Sequence, residues 1–214
     1  MNLNDAQLAE LESFHNWLTE ACSKGAVPVV TGKNGDMDTI GSAVALSAVH
    51  SNMMACGLHL GRTAKRMVES LQAPFRKLSE HQTAWPQSIG GIIVVDAAAA
   101  GQVGIDLPQD VPICILDHHS TCDWNLNEGD LLLQWDARAT TQIVDSYLNA
   151  YSPQSRSLVV RKMLLAGLLT DTGRFRHADR GAVARRGAQA GVVARRGAQA
   201  ALRRRRATPE GLRV

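Results

Sequence analysis

The spacing of apolar positions changes along this chain, and each change predicts an element. Leu8, Leu11, Phe14, Leu18 and Ala21 recur three or four residues apart after Asn4 and Asp5. That period predicts an amphipathic helix over 4–24, stopped at Lys24-Gly25. Residues 27–31 are short and β-prone and read as the first strand. A Gly- and Asp-bearing turn follows, then small residues that read as a helix over 43–55. Residues 58–60 read as a further strand, and 64–88 as one or two helices around Pro74 with an irregular crossover ending near Pro86. Residues 91–96 form the clearest strand: apolar throughout and closed by Asp96, as in a strand buried on both faces. A loop with a short helix fills 97–110. Strands are predicted at 111–116 and 131–135, and helices at 139–150 and 153–169, with Pro153 near a helix start. Strands alternating with helices predict an α/β domain with a mainly parallel sheet flanked by helices, over residues 1–179.

Residues 180–214 break the pattern. GAVARRGAQA at 181–190 returns as GVVARRGAQA at 191–200, identical at nine of ten positions, and four consecutive arginines follow at 203–206. Two copies are too few for a solenoid. Recurring glycines oppose helix, so this tail is expected to be disordered or loosely helical.

Composition changes the picture through charge. The net charge of +3 averages two unlike parts. Of 23 basic and 20 acidic residues the tail takes ten and one, leaving 13 against 19 and a net of −6 in residues 1–179. The basic tail suits weak, salt-sensitive contact with nucleic acid; the alternatives are a truncated chain, a reading frame shifted near residue 180, since Ala, Gly and Arg are what GC-rich codons yield, and an unusual single-domain form. An apolar content of 45% suffices for a core, filled by Leu, Val, Ile and Ala because aromatics are only 4%. No apolar run reaches membrane-spanning length, and the polar, acidic N-terminus lacks the features of a secretory signal. Cys22, Cys56, Cys114 and Cys122 have no CxxC spacing. A reducing cytoplasm is therefore the expected location.

Candidate chemistry gathers at predicted strand ends and glycine turns: Asp36, Asp38, Asp96, Asp117, His118, His119 and Asp171. Each alone has an ordinary explanation. Asp36 and Asp38 suit a helix cap and turn, Asp171 a turn, and the histidines a partly buried structural role. Together, carboxylates with one or two imidazoles suit Mn²⁺ or Mg²⁺ better than zinc. A pair of such ions generates hydroxide at neutral pH and clamps a phosphoryl group for in-line displacement. His15, His50, His59 and His81 have no such context, and Trp85, Trp124 and Trp135 read as packing residues.

The motifs resemble the DHH family of phosphoesterases. Asp36-Met37-Asp38-Thr39-Ile40-Gly41-Ser42 resembles the family's first motif, Val94-Val95-Asp96 the second, Asp117-His118-His119 the third, and Gly167 through Phe175 the fourth. Trp135-Asp136 with Thr140-Thr141 resembles the segment between the last two. Order and rough spacing agree over residues 27–177. The resemblance implies that Asp96 bridges two ions, that Asp36 ligates the first, and that Asp38, His118 and Asp171 ligate the second. It implies His119 facing the scissile phosphate and Asp117 orienting His118 or its neighbours. Arg174 is a candidate substrate contact, with Arg176 and His177 beside it; a solvated basic edge is the alternative.

Two departures stand out. Gly32 occupies the position where the family usually has a histidine ligand for the first ion. The chain also runs into the arginine repeat where the family continues into a smaller substrate-binding domain. The expected function is hydrolysis of phosphoesters in small nucleotides or short oligonucleotides: nanoRNA, 3′-phosphoadenosine 5′-phosphate or dinucleotides. The alternatives are pyrophosphate or polyphosphate hydrolysis, and an impaired nucleic-acid-binding or regulatory protein. The expected partner is the phosphoester substrate, no membrane is expected, and a homodimer is compatible with the sequence.

Overall fold

The computed structural model of the protein describes residues 3–80 and 84–173. The expectations placed on His81, Arg174, Arg176, His177 and the tail at 180–214 fall outside the described residues.

The chain opens with α1, Asp5–Lys24, started by a reciprocal cap: Gln7 N–H donates to the Asn4 side chain and Asn4 N–H to the Gln7 side chain. It continues through β1 (Val27–Thr31), α2 (Met37–Ser47), β2 (Met53–Gly57), α3 (Arg62–Leu71) and β3 (Arg76–Lys77). Then come β4 (Ile92–Val95), β5 (Ile113–Asp117), β6 (Leu131–Gln134), α4 (Thr140–Tyr151) and α5 (Leu158–Asp171). Six strands form one sheet in the order β3-β2-β1-β4-β5-β6, and every pairing is parallel. The order reverses between β1 and β4. In open parallel sheets that switch point, at the strands' carboxyl ends, is where ligand crevices form.

Alternation along the strands divides the core. Val29, Ile93, Val95, Leu116 and Leu133 face a cluster built with α1, α2, α4 and α5. Val30, Cys56, Ile92, Val94 and Ile115 face a smaller cluster covered by Val103, Trp85 and Trp124 from connecting segments. Trp124 Nε1 donates to Ala97 O (2.8 Å), pinning one connection to the end of β4. Both faces are thus covered, which is why β4 needs no polar position. Among the described residues no helix is long and apolar enough to cross a membrane.

The elements depart from the sequence reading in four places, one of them β3, which pairs with β2 inside the stretch read as helix and crossover. The predicted helix over 43–55 starts earlier, at Met37, because Asp36 caps it, and stops at Ser47. Its remainder becomes β2: Met53 to Cys56 pair with Val27 to Val30, and that pairing overrides the weak β propensity of Met and Ala. The predicted strand at 58–60 is instead the connection into α3. Pro153 opens a separate 3₁₀ turn, Pro153–Ser155, and α5 starts at Leu158 with Ser157 as its cap.

Candidate metal centre

Each acidic side chain of the motifs sits where an element begins or ends. Asp36 caps α2, its Oδ1 accepting from Asp38 N–H (3.0 Å) and Thr39 N–H (3.1 Å). The preceding Gly35 has φ 58°, and a Cβ there would lie 2.1 Å from His59 O, so this turn requires glycine. Thr39 joins the ends of two strands to α2. Its hydroxyl donates to Val95 O (3.0 Å) and accepts from Gly32 N–H (3.0 Å).

Asp38 is only 1% exposed and crosses to α4. Its Oδ2 accepts from Thr140 N–H (2.6 Å), and its Oδ1 from Thr141 N–H (2.9 Å) and Thr141 Oγ1–H (2.7 Å). Ala139, at the cap position of α4, offers no side-chain acceptor. Asp38 therefore caps a helix 102 residues away, and the helix dipole favours its charge.

Asp96 follows β4 with φ 59°, left-handed backbone that a non-glycine residue seldom adopts. Its Oδ1 accepts from Thr140 Oγ1–H (3.1 Å). Asp117 ends β5, and its Oδ1 accepts from His118 N–H (2.9 Å) and from His119 Nδ1–H (2.6 Å). Its Oδ2 is buried without a partner.

Two carbonyl or carboxylate acceptors set the imidazole tautomers. His118 Nδ1 lies 3.3 Å from Ala137 O, which only accepts, so Nδ1 carries the proton. Its Nε2 faces Asp96 Oδ1 (3.5 Å), Asp171 Oδ2 (3.7 Å) and Asp38 Oδ2 (3.9 Å). His119 Nδ1 is committed to Asp117, which leaves Nε2 for other partners. Asp117 therefore holds the ring of His119, whereas Ala137 O holds that of His118.

The result is two overlapping ligand sets. Asp38, His118 and Asp171 each place one donor atom within 4.8 Å of the others, and Asp96, His118 and His119 do the same. Asp36 belongs to neither set, although its charge acts on Asp96 and Asp171. Burial pushes the Asp96 carboxyl well above the usual carboxylate range, and the charges of Asp38, Asp36 and Asp117 add to it. Burial also raises Asp38, opposed by the Thr141 and Thr140 hydrogen bonds. Asp171 is raised by burial and partly restored by His118. Asp38 and Asp96, buried among other carboxylates, have no positive side chain acting on them among the described residues. A divalent cation supplies that charge, and these oxygen and imidazole donors suit a hard ion.

The sequence matches the family model described as "DHH family, N-terminal domain" over residues 26–170. The chain belongs to the DHH family. No curated protein matches it. Among solved structures, an exopolyphosphatase-related protein from Bacteroides fragilis superposes with a TM-score of 0.63 at 16% identity, covering 82% of this chain and 54% of that one. A Methanococcus jannaschii candidate family II inorganic pyrophosphatase superposes with a TM-score of 0.53 at 20% identity, covering 70% of this chain and 49% of that one. At these identities the likeness concerns the fold, and this chain spans about half the length of either structure.

Within this DHH domain, Gly32 is tightly bordered. A Cβ there would lie 3.0 Å from Asp96 O and 3.9 Å from Gln102 O. Sequence reasoning assigned no role to Thr39, Thr140, Thr141 or the Ala137 carbonyl. The available signal was Ala139-Thr140-Thr141, a helix start without its own capping residue.

Proposed function

We propose that this chain is the catalytic portion of a divalent-metal-dependent phosphohydrolase acting on phosphoesters of small nucleotides or short oligonucleotides. The observation that carries the reading is the meeting of Asp38, Asp96 and Asp171 around His118 Nε2, with His119 beside Asp96, at the sheet's switch point. Asp38, His118 and Asp171 would hold one Mn²⁺ or Mg²⁺, Asp96 would be shared, and Asp36 would complete the more open side. Such ions, when bound, activate water near neutral pH and neutralise charge on a phosphoryl group.

The chain's own residues supply the remainder. Asp117 keeps the His119 proton on Nδ1 and stabilises the imidazolium, as the buried acid of a triad does. His119, 44% exposed, then offers Nε2–H to a phosphoryl oxygen or gives that proton to the leaving alkoxide. The Asp96 backbone, held in a left-handed turn and tied through Val95 O to Thr39, keeps the shared carboxylate in place.

The test is an assay with Mn²⁺ of bis-p-nitrophenyl phosphate, 3′-phosphoadenosine 5′-phosphate, a labelled dinucleotide, pyrophosphate and tripolyphosphate. Turnover of the esters that disappears in Asp96→Ala supports the reading. Turnover of the anhydrides alone favours pyrophosphate or polyphosphate hydrolysis, for which the names of the two similar structures speak. A folded chain that binds RNA and turns over nothing, with or without Mn²⁺, rejects hydrolysis in favour of a binding role.

A further inference from the structure

We propose that Thr141 is a positioning residue that sets the Asp38–His118–Asp171 half of the centre, through its hydroxyl and its methyl group at once. This rests on the metal-binding reading above. Thr141 is 1% exposed and sits in the first turn of α4. Its Oγ1–H donates to Asp38 Oδ1 (2.7 Å), and its backbone N–H donates to the same oxygen (2.9 Å). Those bonds, with that from Thr140 N–H to Oδ2, fix the plane of the carboxylate. They leave little freedom for Asp38 to turn away from His118 Nε2.

The other branch of Thr141 points between two helices. Asp38 is carried by α2 and Asp171 by α5, and these helices meet where each presents a glycine. A Cβ on Gly41 would lie 2.7 Å from Met163 O and 3.3 Å from Thr141 Cγ2. A Cβ on Gly167 would lie 2.6 Å from Thr141 Cγ2, 3.1 Å from Asp38 Cα and 3.1 Å from Met37 O. The Thr141 methyl therefore occupies space that both glycines leave open, against the backbone that bears Asp38. Glycine allows this close backbone approach, and the methyl sets how close it becomes. One β-branched side chain thus orients Asp38 and spaces the helix that brings Asp171 to it.

The roles separate by substitution. Thr141→Val keeps both branches and loses the hydroxyl; Thr141→Ser keeps the hydroxyl and loses the methyl. The full chain and both variants are titrated with Mn²⁺ alone, bound ion being read from loss of the free-ion paramagnetic resonance signal, and melted in EDTA. We expect Thr141→Val to lose about tenfold or more in affinity at the tighter site, with a modest fall in metal-free melting temperature for the one buried hydrogen bond lost. Thr141→Ser should retain more affinity than Thr141→Val and melt lower, because it leaves a methyl-sized void. Gly167→Ala should weaken Mn²⁺ binding, and adding Thr141→Ser should recover part of the loss by removing the methyl in the way. This last comparison stands whether or not the valine variant folds. Unchanged affinity in Thr141→Val, or a double variant no better than Gly167→Ala, overturns the proposal. An unchanged protein that binds no Mn²⁺ overturns the metal reading itself and the proposal with it.

Discussion

The two halves of the centre are built to different standards. Around Asp38, every carboxylate oxygen meets a donor, the side chain is buried, and helix α4 begins against it. Around Asp36, one oxygen caps α2, the residue is exposed, and Gly32 provides no side chain. Asp96 stands between them, with Thr140 Oγ1 on one side and the His119 ring within 3.9 Å. Preorganised carboxylates lose less freedom when they take up a ligand, so one half should bind an ion well before the other.

The harshest way to break this comparison is to remove the residue both halves share. Asp96→Ala should lower kcat/KM by about 10³-fold or more, as expected when metal-assisted activation of water is lost; steady-state kinetics in saturating Mn²⁺ measures it. Retention of most activity would dismiss Asp96 as the common element.

Next, the two caps are set against each other. Asp38→Ala strands two backbone N–H groups and a hydroxyl, so it should lower stability by about 2–4 kcal/mol in urea melts and lower Mn²⁺ affinity by about 100-fold. Asp36→Ala removes one exposed cap, so about 1 kcal/mol and a smaller loss of affinity are expected. Equal effects would erase the difference between the halves.

A third prediction uses pH. The folded-state pKa values of Asp96, Asp38 and Asp171 lie above their ordinary ones. For a carboxyl raised by folding, the native state holds more protons than the unfolded one. Its destabilising effect is therefore absent below the ordinary pKa, grows as pH rises from there, and levels off above the folded value. In EDTA, Asp96→Asn should melt above the unchanged protein, by a margin that widens as pH is raised from about 4. Added Mn²⁺ should reverse the order. A margin independent of pH would show that the carboxylates are not in conflict.

The smallest expected effect is at the substrate side. Asp117→Asn retains an acceptor for His119 and removes its charge, so kcat should fall by about tenfold with KM little changed, as steady-state kinetics would show. A KM change alone would instead make Asp117 a residue of substrate binding.

Much of this architecture was legible before any coordinates. The apolar run at 91–96 reads as a doubly buried strand, and β4 forms there, with carboxylates at 96 and 117 at strand ends. Helix α1 follows its apolar spacing because α1 covers a core with one face. What misled was the small-residue stretch after Ser42. It is compatible with helix throughout, and only pairing with β1 turns Met53–Gly57 into β2. Turn chemistry likewise showed Asp36 as a cap and left Asp38 looking like one. The partner of Asp38 is the start of α4, too distant in the chain for local pattern to indicate it.

The sequence alone determined which donors exist and on which segment each lies. It carries the α/β period, the Asp and His types that suit a hard cation, and the family to which the chain belongs. Tertiary structure decided which of these groups meet. Orientation came from the ends of other elements: α4 for Asp38, Ala137 O for His118, Asp117 for His119, and Gly41 and Gly167 for the approach of Asp171. Local spacing specifies what a side chain can do, whereas the direction in which it is held depends on backbone donors and close contacts that arise only when distant segments pack.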